Sequence, residues 1–137
     1  MRPAMRIPII KLYTNLIVPI QGMLDDAVIT HLQSDVTLRI EADAPKGLVI
    51  DVSGMEMMDS FMTRTIRDLA LTAKLMGVHT VLSGLKPAIA LTLVEMGLEI
   101  PGIQTTLNLE RALEALSLIQ ADEAAFNAGV EADVIFE

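Results

Sequence analysis

Apolar and polar positions change period several times along the chain, and each change marks an element. Ile7, Ile9 and Leu12 alternate loosely with Pro8, Ile10 and Lys11, and a second apolar run covers Leu16 to Ile20. Thr14-Asn15 between the runs is turn chemistry, so the opening predicts an antiparallel hairpin. Asp25 reads as an N-cap ahead of Val28, Ile29, Leu32, Val36 and Ile40 at helical spacing, with His31, Gln33, Asp35 and Arg39 on the polar face. Asp43-Ala44-Pro45-Lys46-Gly47 stops that helix. Gly47 to Val52 is a short apolar run, the pattern of a buried central strand. A loop from Ser53 to Asp59 leads into a helix from about Ser60 to Met76. Its inward face is Met62, Ile66, Leu69, Ala70 and Ala73, with Thr63, Arg64, Arg67, Asp68 and Lys74 towards solvent. Gly77 closes it.

Val78 to Ser83 predicts another buried strand. Gly84 then turns the chain towards Pro87, which opens a helix to Met96 that ends at Gly97. Ile103 to Thr106 predicts a last strand, and Asn108 caps a helix carrying Leu109, Ala112, Leu113 and Leu116 on one face. Successive βα units imply parallel strands joined by crossover helices. With the hairpin as an antiparallel edge, the fold class is a small mixed α/β domain with about four helices. From Leu118 the pattern breaks, and five of the eighteen acids but none of the ten bases follow residue 120. Residues 1–120 are therefore expected to form the domain, and 121–137 an acidic tail that frays or docks weakly.

Composition narrows the function. A length of 137 residues suits one domain, and 52% apolar residues with a mean hydropathy of +0.50 exclude a disordered chain. The longest apolar segment, Ala88 to Leu98, is interrupted by Thr92, Glu95 and Gly97, too short and too broken to span a bilayer. Arg2 and Arg6 lead into Pro8 and Lys11 with no signal-peptide core between them, which predicts a cytoplasmic protein without membrane association. A net charge of −8, with single scattered bases, argues against nucleic acid. The lack of cysteine removes disulfides, thiolate metal sites and thiol nucleophiles.

Catalytic chemistry is scarce. No phosphate-cradling glycine motif is present, and His31 and His79 stand apart without the spacing of a metal site, so no cofactor and no metal are expected. Ser60, His79 and Asp51 can be assembled on paper into a triad, but so can a Ser, His and Asp in almost any domain. The reading is a non-enzyme.

Two features stand out. In Met57-Met58-Asp59-Ser60-Phe61-Met62, a polar pair opens a helix among large apolar side chains. An ordinary N-cap explains Asp59 and Ser60; an apolar rim of Met57, Met58 and Phe61 around them suits a docking surface. The second is the helix Ala88 to Val94, apolar nearly all round. Either it is buried on both sides or it meets a second subunit, and the small domain favours a homodimer, with Leu93 as an outward contact.

At these residues the sequence resembles the STAS domain family, the sulfate-transporter and anti-sigma-factor-antagonist fold. The likeness covers about residues 5 to 117. Its most specific pieces are Ile7 to Tyr13, Asp59-Ser60-Phe61, Lys74 to Gly77 and Lys86 to Leu93, in that order. Within the family it is most similar to the single-domain scaffold antagonists of the bacterial stressosome. That resemblance implies a large assembly with sensor-bearing STAS paralogues, and no sensor domain in this chain. It also implies a serine-protein kinase held by the assembly, which phosphorylates Ser60 and is thereby released. The alternative is a free anti-sigma-factor antagonist that binds an anti-sigma kinase directly. Asp59, Met57, Met58 and Phe61 are the expected partner-binding residues.

Overall fold

The computed structural model describes residues 6–21, 25–95 and 103–135. Its elements run β1 (Ile10–Leu12), β2 (Asn15–Gln21), α1 (Asp26–Asp43), β3 (Gly47–Gly54), α2 (Ser60–Leu75), β4 (His79–Ser83), α3 (Pro87–Glu95), β5 (Gln104–Thr106) and α4 (Leu109–Ile135). The strands form one sheet in the order β1-β2-β3-β4-β5. Only β1 and β2 are antiparallel; the remaining neighbours are parallel. The mixed α/β architecture and its four helices are those the apolar pattern predicts. Met96 and Gly97, expected to end α3, lie outside the described residues.

Strand side chains alternate between the two faces of the sheet, and the core divides accordingly. Leu16, Val18, Ile20, Leu48, Ile50, Val52 and Leu82 point to one face, where they pack with buried residues of α1, α2 and α3. Ile17, Val49 and Val81 point to the other and are covered by Ala112 and Leu116 of α4. Both β3 and β4 are thus buried on two sides at their centres, which is why Leu48-Val49-Ile50 and Val81-Leu82 are apolar at successive positions.

Local signals set most boundaries. Asp25 caps α1 by accepting the Val28 N–H, and Ala44 ends the helix in the left-handed region just before Pro45. Gly77, with φ of +83°, turns the chain after α2. Gly47 sits where α4 crosses β3: a Cβ there would lie 2.5 Å from Asn15 Oδ1 and 2.8 Å from a Leu116 methyl.

Three expectations need correction. The hairpin loop is Tyr13-Thr14, since Leu12 pairs with Asn15. Asn15 begins β2 instead, and its Oδ1 accepts the Gln120 side-chain amide at 2.9 Å; a tertiary bond claims the side chain that local propensity assigns to a turn. Thr63, placed towards solvent, is buried and donates its hydroxyl to the Asp59 carbonyl at 2.9 Å. Leu93, placed outward on α3, is only 6% exposed and belongs to the core, while Leu91 and Val94 face solvent. Beyond residue 120, α4 continues as helix, with residues 121 to 129 exposed. Among the described residues, no helix is long and apolar enough to cross a membrane.

Candidate docking and modification site

The sequence from Val52 to Met62 builds a loop and a helix mouth at the C-terminal end of β3. Asp51 Oδ1 accepts the Ser53 N–H at 3.0 Å as the strand finishes, and the Met55 N–H returns to the Val52 carbonyl at 3.0 Å. Asp59 has an extended backbone, the conformation of an N-cap, and its Oδ1 accepts the Met62 N–H at 2.7 Å. Ser60 is therefore the first residue of α2, half-buried. The cap reading holds for Asp59, whose carboxylate is engaged by the helix.

The apolar residues around the cap divide. Met57 is 78% exposed and Phe61 is also exposed, whereas Met62 points into the core as its helical spacing predicts. Met58, expected on the docking rim, is 4% exposed and packs in the main core cluster. Met58 anchors the loop that presents Met57. A second anchor had no signal in the linear pattern: Lys86 Nζ reaches Glu56 Oε1 at 3.0 Å, tying the loop to the start of α3 across 30 positions. Arg64, one turn beyond Ser60, is exposed on the same side of α2.

The paper triad does not assemble. His79 pairs with Gly47 at the start of β3, whereas Asp51 lies four residues further along the strand, about 13 Å away. The His79 ring instead meets Glu123 of α4 at 2.5 Å, at the opposite end of the sheet from Ser60. Among the described residues there is no group of three or more His, Cys, Asp or Glu that could hold a metal ion. The mouth of α2 offers a hydroxyl, a capped carboxylate and an apolar surface.

The STAS domain family model matches residues 6–112. A solved structure of a serine-to-glutamate variant of RsbS from Moorella thermoacetica is 38% identical, with a TM-score of 0.75, covering 84% of this chain and 97% of that one. Another, described as the molecular architecture of the stressosome, a signal integration and transduction hub, is 40% identical with a TM-score of 0.74, covering 82% and 98%. RsbT co-antagonist protein RsbRD of Bacillus subtilis (strain 168) is 30% identical over 97 residues, 71% of this chain; the aligned part is 35% of the relative's own length. On the family match across most of its length, together with the five-stranded mixed sheet and its helices, the chain belongs to the STAS domain family.

Proposed function

We propose that this chain is a non-catalytic scaffold of a stressosome-type signalling complex in the cytoplasm, regulated by phosphorylation of Ser60. In the unmodified state it holds a serine-protein kinase against Met57 and Phe61, alongside sensor-bearing STAS paralogues and further copies of itself. The observation that carries this reading is the position of Ser60. It opens α2 beside a carboxylate already committed to the cap, with exposed Met57 and Phe61 on either side. Its likeness to RsbS and to a stressosome component supports the assembly, and the name RsbT co-antagonist on relatives supports a common target.

The modification transfers the γ-phosphoryl group of ATP to Ser60. The Oγ–P bond forms as the bond to ADP breaks, and the hydroxyl proton passes to a base of the kinase. The phosphoserine carries about −1.5 to −2 charges at neutral pH. Incubating the protein with ATP and the purified kinase, then mapping phosphate by mass spectrometry, tests the assignment. Phosphate is expected on Ser60; phosphate found only on Ser53 or Thr92 overturns it.

A further inference from the structure

Helix α4 outlasts the sheet it covers. Leu116 is its last buried residue among those described. Past it, Gln120 donates to Asn15 Oδ1 at 2.9 Å and accepts the Thr14 hydroxyl at 3.1 Å, and Glu123 meets His79. Asn15 and His79 are the first residues of β2 and β4, so α4 leaves the sheet at the strand starts, the opposite end from Ser60. It stays helical to Ile135, about 18 Å beyond Glu123 at 1.5 Å per residue. Residues 121 to 129 are exposed, and Phe126 among them is 70% exposed. The family match ends at residue 112, well before this arm.

The charges of the arm define what covers it. No Lys or Arg follows residue 120, so the acids of the arm have no helical base partner from within it. Glu131 and Asp133 also lie near the helix C-terminus, where the macrodipole disfavours negative charge. A cover must therefore bring cations to the distal end and an apolar contact to Phe126. The chain carries such cations at the end of the sheet from which the arm emerges. Lys46 precedes β3 and donates its N–H to the Thr14 carbonyl at 2.7 Å, Lys11 pairs with Leu16 beside Asn15, and Lys74 is in the last turn of α2. All three are exposed and form no ion pair among the described residues. Glu131 lies about 17 Å along the axis beyond Gln120, past the strand starts of its own domain. In a second copy related by a two-fold axis, with the arms antiparallel, the distal acids of each reach the lysines of the other and the two Phe126 side chains meet between them. We infer that residues 121–135 are a self-association arm, in which the acids of one copy pair with Lys46 and Lys74 of another around a Phe126 contact. The inference does not depend on the reading of Ser60.

Sedimentation velocity tests the arm in a Leu91→Glu background, which leaves α3 out of any contact between copies. The full chain is expected to remain a dimer there, and to dissociate at least tenfold more readily when salt rises from about 50 to about 500 mM. Lys46→Glu/Lys74→Glu and Glu131→Lys/Asp133→Lys are each expected to run as monomers with unchanged melting temperatures. Mixed in equal amounts they restore the dimer, because each then meets the opposite charge. A dimer that survives truncation after Gln120 overturns the arm, as does a full chain that stays monomeric in this background. Charge variants that stay dimeric singly, or a mixture that stays monomeric, overturn the pairing.

Discussion

The carboxylate of Asp59 accepts the backbone N–H of Met62 at 2.7 Å, which fixes a negative charge at the mouth of α2 next to the hydroxyl of Ser60. That bond determines what a phosphate on Ser60 does to the fold. The helix N-terminus favours added negative charge by about 0.3–1 kcal/mol. Repulsion from Asp59, taken at ~6 Å in a water-like dielectric, opposes it by about 1.4 kcal/mol for a doubly charged phosphate. The net cost is about 1 kcal/mol or less. On that balance, a phosphate placed on Ser60 is expected to leave the domain folded.

Replacing Asp59 by alanine leaves the Met62 N–H without its cap and lowers stability by about 1 kcal/mol. Asp59→Asn keeps an accepting oxygen and recovers most of that loss. Urea denaturation of the two variants checks the order. Equal stability of both with the original chain would mean that the cap contributes nothing.

Met57 and Met58 are neighbours with opposite surroundings, and their alanine variants should separate. Met58→Ala removes a core side chain and costs about 2–5 kcal/mol. Met57→Ala changes stability by no more than about 0.5 kcal/mol but weakens kinase binding. Denaturation midpoints and binding titrations on the same two proteins make the comparison.

That division marks how far the sequence could be read. Helices α1 and α2 announced themselves through their caps, Asp25 and Asp59, and through apolar spacing whose inward residues are the buried ones. Strand β3 is equally plain as the apolar run Gly47 to Val52, and β4 falls within the predicted strand Val78 to Ser83. The local pattern puts Thr63 towards solvent and Asn15 in a turn, whereas both polar side chains are satisfied inside the structure, by the Asp59 carbonyl and the Gln120 amide. No local pattern reveals such a partner 105 residues away. The place of Ser60 at the start of α2 and the exposure of Met57 and Phe61 agree with the Asp-Ser pair in its apolar setting, whereas Met58 is buried, a direction that a loop without a period does not reveal.

Self-association is tested on α3 with the residues that face solvent. Leu91→Glu puts a carboxylate on the exposed apolar side, and a homodimer formed there weakens at least tenfold without loss of fold. Leu93→Glu instead buries a charge in the core and costs several kcal/mol. Light scattering during size-exclusion chromatography reads the first effect and thermal denaturation the second. An original chain that runs as a 14.9 kDa monomer at high micromolar concentration removes the dimer.

Truncation after Gln120 keeps the hydrogen bond from the Gln120 amide to Asn15 and, among the described residues, removes the exposed contact between His79 and Glu123. An exposed pair of this kind contributes about 0–1 kcal/mol. The melting temperature is expected to fall by no more than a few degrees, since residues 121 to 129 are exposed. A drop of ten degrees or more would place the rest of α4 within the folding unit.

The most direct test of the switch is the affinity of the purified kinase for Ser60→Asp and Ser60→Ala, measured beside the unmodified chain and with melting temperatures recorded for all three. A partner docked over Met57 and Phe61 has to desolvate any charge at Ser60, at a cost of several kcal/mol when that charge is unpaired. Each 1.4 kcal/mol is about a tenfold loss of affinity. Ser60→Ala is therefore predicted to bind like the unmodified chain, and Ser60→Asp to fold normally and bind about a hundredfold more weakly. Binding of Ser60→Asp as tight as that of the unmodified chain would contradict the account.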